Sequence, residues 1–129
     1  MNSVPTNNMD VKKQNRINTL RCLLKYDRIS QPELAQKLKL SWPTVLQNVK
    51  ELINLGLVHE DGAYKSTGGR KAKAYASIPD AKLAIGVDIT KNHIGFTLVD
   101  LSGMVIRYTR KTSAFSSEEN YFKNLGDLM

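Results

Sequence analysis

The sequence predicts an α+β chain in two parts: three helices closed by a β-hairpin, then a three-stranded antiparallel meander and a partial helix. Three observations predict it. Two Ser-x-Pro starts, at Ser30 and Ser41, each open a short apolar pattern of helical period. A segment rich in Gly, Lys and Arg then separates two short apolar runs. From Leu83 onward the apolar period changes to two. Two helix starts followed by a basic hairpin are the parts of a winged helix-turn-helix.

Each element has a local reason. The first helix is expected over residues 10–26, with Ile17, Leu20, Leu23 and Leu24 at helical spacing and Lys12, Lys13, Arg16 and Lys25 on the polar side. Asp27, Arg28 and Ile29 form the connection. Ser30 is placed to cap the second helix, with Pro32 in its first turn and Glu33 completing a capping box. Leu34, Ala35 and Leu38 then face inward. Ser41 and Pro43 repeat the start signal for a third helix reaching about Leu55. Its expected apolar stripe is Trp42, Val45, Val49, Leu52 and Ile53, and its expected polar face is Thr44, Gln47, Asn48 and Glu51. Gly56 supplies the left-handed cap.

Residues 57–60 and 74–78 can pair as the strands of the wing. Pro79-Asp80 marks a boundary. The meander then follows as Leu83, Ile85, Val87; Ile94, Phe96, Leu98; and Met104, Ile106, Tyr108. Asn92 and Ser102-Gly103 provide its turns, with Asp100 shaping the second. Ser116 or Ser117 is placed to cap a last helix running to Met129. The expected organisation is a flexible arm over 1–9, the winged unit over 10–79 and a separate segment over 80–129.

The 129 residues are 41% hydrophobic and 24% charged, with net charge +7, which is ordinary globular composition. Residues 1–80 hold 13 Lys or Arg against 7 Asp or Glu, whereas residues 81–129 hold 6 against 5. The positive excess therefore sits with the helix-turn-helix, where a phosphate backbone would lie. No run of about 18 apolar residues is present, so no membrane span is expected. The polar start lacks a secretory core. A lone Cys22 excludes an internal disulfide framework and suits a cytoplasmic setting.

Double-stranded DNA is the expected partner. On the third helix Ser41, Thr44, Leu46, Gln47, Asn48 and Lys50 are the candidate contacts. Gln and Asn can bond adenine bidentately, and Thr or Leu can touch a thymine methyl. On the wing the candidates are Lys65, Gly68, Gly69, Arg70, Lys71 and Lys73, with Arg70 suited to a narrow minor groove and the lysines to phosphates. Ser30 and Gln31 are further phosphate candidates. Trp42 is expected to pack rather than to wedge between bases. His59 and His93 lack partners at ligand spacing, and no nucleophile–base pair is present, so neither metal, cofactor nor catalysis is expected.

Taken together, these motifs resemble the ROK family of repressors, open reading frames and kinases, on the xylose and N-acetylglucosamine repressor branch. The residues that carry the resemblance are Asn15-Arg16-Ile17, Ser30 with Glu33-Leu34-Ala35, Leu40-Ser41 with Pro43-Thr44-Val45, and Glu51-Leu52. Gly56-Leu57-Val58, Gly68-Gly69-Arg70, Ile85-Gly86-Val87-Asp88-Ile89 and Val99-Asp100-Leu101-Ser102-Gly103 continue it. The resemblance implies that residues 80–129 begin an actin- and hexokinase-like domain. It also implies a repressor of carbohydrate-utilisation genes, with a sugar or sugar-phosphate effector only in a full-length relative. Family kinases carry a glycine-glycine-threonine turn after the first strand, whereas this chain has Thr90-Lys91-Asn92 there.

The function expected is that of a sequence-specific transcriptional regulator acting as a homodimer on a palindromic operator. Exposed meander edges and an apolar face that few elements cover favour self-association. Two rivals are a kinase fragment with residual nucleotide binding near Asp88, and a basic module for an acidic protein partner.

Overall fold

The computed structural model of the chain describes residues 7–64 and 71–127. The wing-tip candidates Lys65, Gly68, Gly69 and Arg70 lie outside the described residues. The chain divides into two units, 1–81 and 82–129.

In the first unit α1 (Asn8–Leu23) leads to strand β1 (Ile29–Ser30), α2 (Gln31–Leu38), α3 (Trp42–Asn54), β2 (Val58–Tyr64) and β3 (Ala72–Ser77). Helix α1 begins inside the segment expected to be an arm, because Asn7 accepts the Asp10 amide at 2.9 Å as N-cap. It ends three residues earlier than its periodicity suggests. Lys25 and Tyr26 instead bond back to the Cys22 and Leu23 carbonyls in tighter i→i−3 turns.

Helices α2 and α3 are joined through Lys39, which caps α2 in the left-handed region at φ 53. Gly56 (φ 71) ends α3 as expected. Ile29 and Ser30, expected as a connection and a cap, also pair with Tyr75 and Ala74, giving a sheet of order β1-β3-β2. A bulge between Glu60 and Ala63 bends β2.

The core of this unit is Leu23, Ile29, Leu34, Ala35, Val45, Val49, Leu52, Val58 and Tyr75. Two members of the expected α3 stripe do not join it: Trp42 is 55% and Ile53 37% exposed. At about 100° per residue both fall on the edge of the buried arc set by Val45, Val49 and Leu52. The expectation that Trp42 packs is therefore corrected.

The second unit is a meander of β4 (Leu83–Ile89), β5 (His93–Asp100) and β6 (Val105–Thr112), followed by α4 (Glu119–Gly126). Asp100 shapes the second turn, its Oδ1 accepting the Ser102 and Met104 amides at 2.9 and 3.0 Å. Ile85 opposes Leu98 and Val87 opposes Phe96, so one face is apolar across β4 and β5. On that face β6 contributes Arg107 and Thr109, opposite Leu98 and Phe96. Tyr108 therefore lies on the other face, opposite Thr97, rather than extending the apolar surface. Neither serine caps α4. Its N-cap is Glu118, whose amide bonds the Ser116 hydroxyl at 3.2 Å.

Candidate nucleic-acid interface

The helix-turn-helix is held by its caps. Ser30 Oγ accepts the Glu33 amide at 3.4 Å and donates to Glu33 Oε2 at 2.7 Å, while the Ser30 amide reaches that oxygen at 3.0 Å. These bonds, the side-chain one first, hold the Glu33 carboxyl below its ordinary pKa. Ser30 and Gln31 are both buried. The Ser30 hydroxyl, a candidate phosphate contact, is engaged by Glu33, and Gln31, the other, lines the hollow between α3 and the wing. Ser30→Ala is expected to destabilise the first unit by about 1 kcal/mol, read by thermal melting.

Ser41 repeats the device at α3, accepting the Thr44 amide at 3.3 Å and bonding the Thr44 hydroxyl at 2.8 Å. The outer face of α3 is then presented in a defined way. Gln47 is exposed and donates through Nε2 to Glu51 Oε1 at 2.9 Å, and Arg16 of α1 bonds the other Glu51 oxygen. The Gln47 bond first, and the Arg16 bond next, lower the Glu51 pKa. A primary amide has two donors and two acceptor lone pairs, so Gln47 keeps capacity for a base edge after this bond. Arg16 and Glu51 thus orient the candidate reading side chain. The sequence places both on polar helix faces and within the motifs of the family resemblance, with nothing that pairs them. Their link spans 35 positions and leaves no local signal.

Glu33 and Glu51 give pH dependence of one sign. Both carboxyls sit below their unfolded values, so their stabilisation is present above about pH 4.3 and is lost as pH falls through the depressed values. Glu33→Gln is expected to melt with a shallower acid limb than the parent chain.

Asn48 is the main correction. It is buried, and its Nδ2 donates to Thr19 Oγ1 at 3.1 Å, which in turn donates to the Asn15 carbonyl at 2.8 Å. It lies on the side of the helix that α1 covers, which is what buries it. Asn48 therefore seats α3 on α1 through Thr19, at the floor of the hollow that Thr44 and Gln47 line. Asn48→Ala should lower stability by about 1–3 kcal/mol, leaving the preferred DNA sequence unchanged in a duplex selection.

The remaining candidates are dispersed around this face. Ser41 and Lys50 are exposed, and Thr44 and Leu46 are half-buried. Thr44 and Gln47 line an open hollow of about 490 Å³ together with Lys12, Asn15, Pro43 and Glu51. At the wing, Lys71 is exposed and Lys73 pairs with Glu60 at 3.0 Å. The Arg28 guanidinium lies 4.5 Å from the Tyr64 ring centroid, tying the far end of β2 to the loop before β1. Among the described residues no group of His, Cys, Asp or Glu could hold a metal, and no helix is long and apolar enough to cross a membrane.

A winged helix-turn-helix DNA-binding family matches residues 13–59. The xylose repressor of Bacillus spizizenii is 34% identical over 96 residues, 74% of this chain and 25% of the repressor. The DNA-binding transcriptional dual regulator NagC of Escherichia coli K12 is 33% identical over 100 residues, 77% of this chain and 25% of NagC. The chain belongs to the ROK family. A solved ROK family transcriptional regulator, described as a homolog of the E. coli MLC protein, shares the fold. Its TM-score is 0.55 at 18% identity, covering 90% of this chain and 33% of that one. This ROK chain thus spans about a quarter of the length of the curated relatives it matches.

Proposed function

We propose that this ROK chain is a sequence-specific DNA-binding transcriptional regulator, a repressor of carbohydrate-utilisation genes in which α3 enters the major groove and the wing meets the flanking backbone. The observation that carries the proposal is the exposed Gln47 amide, oriented by the Glu51–Arg16 pair on the outer face of a capped helix. Of the matched relatives one is named a xylose repressor and the other a DNA-binding transcriptional dual regulator, and the positive charge concentrates in the same unit. Ser41, Thr44, Leu46, Gln47 and Lys50 would contact the groove. Lys65, Gly68, Gly69, Arg70, Lys71 and Lys73 would serve the wing. No catalytic step belongs to this function.

Two copies on a two-fold axis would place half-sites about 34–36 Å apart or a multiple of that. Enrichment of bound duplexes from a random pool tests this. A palindromic consensus is expected. Recovery of sequences with no shared motif would overturn it.

A further inference from the structure

On the wing-facing edge of α3, Trp42 and Ile53 have no part in the function stated above. Trp42, Leu46, Lys50 and Ile53 succeed one another at steps of four, four and three, so they share one edge of the helix. With Lys71 of the wing they line an open hollow of about 730 Å³. The indole of Trp42 is 55% exposed at the very start of α3. With Leu46 and Ile53 beside it, the indole forms a contiguous apolar patch rather than a lone exposed side chain, and such patches serve as contact surfaces.

The charges around it indicate what it meets. Lys50 and Lys71 stand exposed on the rim, and the acid there, Glu60, is paired with Lys73 at 3.0 Å. An apolar shelf with a cationic rim fits a polyanion that offers apolar groups between its charges. The major groove does so: its walls are phosphates, and the one apolar group on its base edges is the thymine C5-methyl. Gln47 follows Leu46 in sequence and stands about 100° further round the same helix, so a groove that receives α3 can meet both side chains.

We propose that Trp42 and Leu46 form an apolar shelf that selects thymine methyl groups beside the base contacted by Gln47. The proposal rests on the DNA-binding function stated above. It makes Trp42 a specificity-determining residue and predicts thymine next to the Gln47 position in each half-site. A 5-methylcytosine carries its methyl at the same ring position and would satisfy the same shelf.

The test uses the full chain and a duplex enriched from a random pool. Each thymine is replaced in turn by 2′-deoxyuridine, which removes one methyl and no hydrogen-bonding group. At one or two positions per half-site the parent chain is expected to bind about fourfold more weakly, the transfer value of one buried methyl. At those positions Trp42→Ala or Leu46→Ala should bring the thymine-to-uracil affinity ratio close to one, while Trp42→Phe keeps it. A ratio of one at every position in the parent chain, or a ratio unchanged in both alanine variants, would overturn the shelf. Insensitivity to uracil on a duplex that is still bound selectively refutes the shelf alone. Failure to enrich any duplex refutes both the shelf and the DNA-binding function. The parent-chain ratio needs no substitution, so a variant that fails to fold does not remove the test.

Discussion

Leu52→Ala is expected to destabilise the winged unit by about 2–5 kcal/mol. Leu52 is 2% exposed and belongs to the cluster formed with Leu23, Leu34, Val45 and Val49. Removing its side chain deletes buried apolar surface and leaves a void where α3 meets the rest of the unit, and close-packed neighbours relax only partly into it. For a unit of this size the loss corresponds to a fall in melting temperature of at least about 8 °C. Thermal unfolding followed by far-ultraviolet circular dichroism measures it, since α1, α2 and α3 supply most of the helix. Below the new midpoint, DNA preference should be unchanged, because Leu52 faces inward and Gln47 outward. A melt indistinguishable from the parent would mean that the α3 interface does not hold the unit together.

Gln47→Ala is expected to weaken binding to the preferred duplex by about 1–3 kcal/mol, roughly fivefold to 150-fold, and to relax preference at one base step. The side chain is exposed, and its amide is oriented by Glu51, which Arg16 anchors from α1. Alanine removes the base-edge donors and acceptor without touching the core, so the melting temperature should hardly move. Titration of the variant against duplexes differing only at that step measures the change. Arg70→Ala should behave differently, lowering affinity across sequences and reducing the salt dependence. Equal losses on every duplex for Gln47→Ala would show that this side chain does not read sequence.

Capping chemistry made the winged unit legible. Ser30 and Ser41 each announce a helix start, and in both cases the serine hydroxyl accepts the amide three residues on. Gly56 marks the end of α3 for the steric reason that a left-handed cap favours glycine. What escaped had no local signature. Strand β1 is two residues long, too short to show a period. Polarity alone points Asn48 outward, whereas α1, through Thr19, covers that side of α3 and buries it. Hydrophobicity alone points Trp42 inward, whereas it stands exposed as the first residue of α3. The pairing register across β5 and β6, with a bulge between Leu98 and Val99, sets which face Tyr108 occupies, and a period of two within β6 cannot supply it.

Equilibrium binding of the chain to an enriched duplex and to a scrambled duplex of the same composition, across a salt series, probes most directly whether α3 and the wing engage DNA. The enriched duplex should bind about a thousandfold or more tighter, and log affinity should fall by about 0.9 per log unit of salt for each phosphate contacted. Equal affinity for the two duplexes, or affinity indifferent to salt, would contradict it.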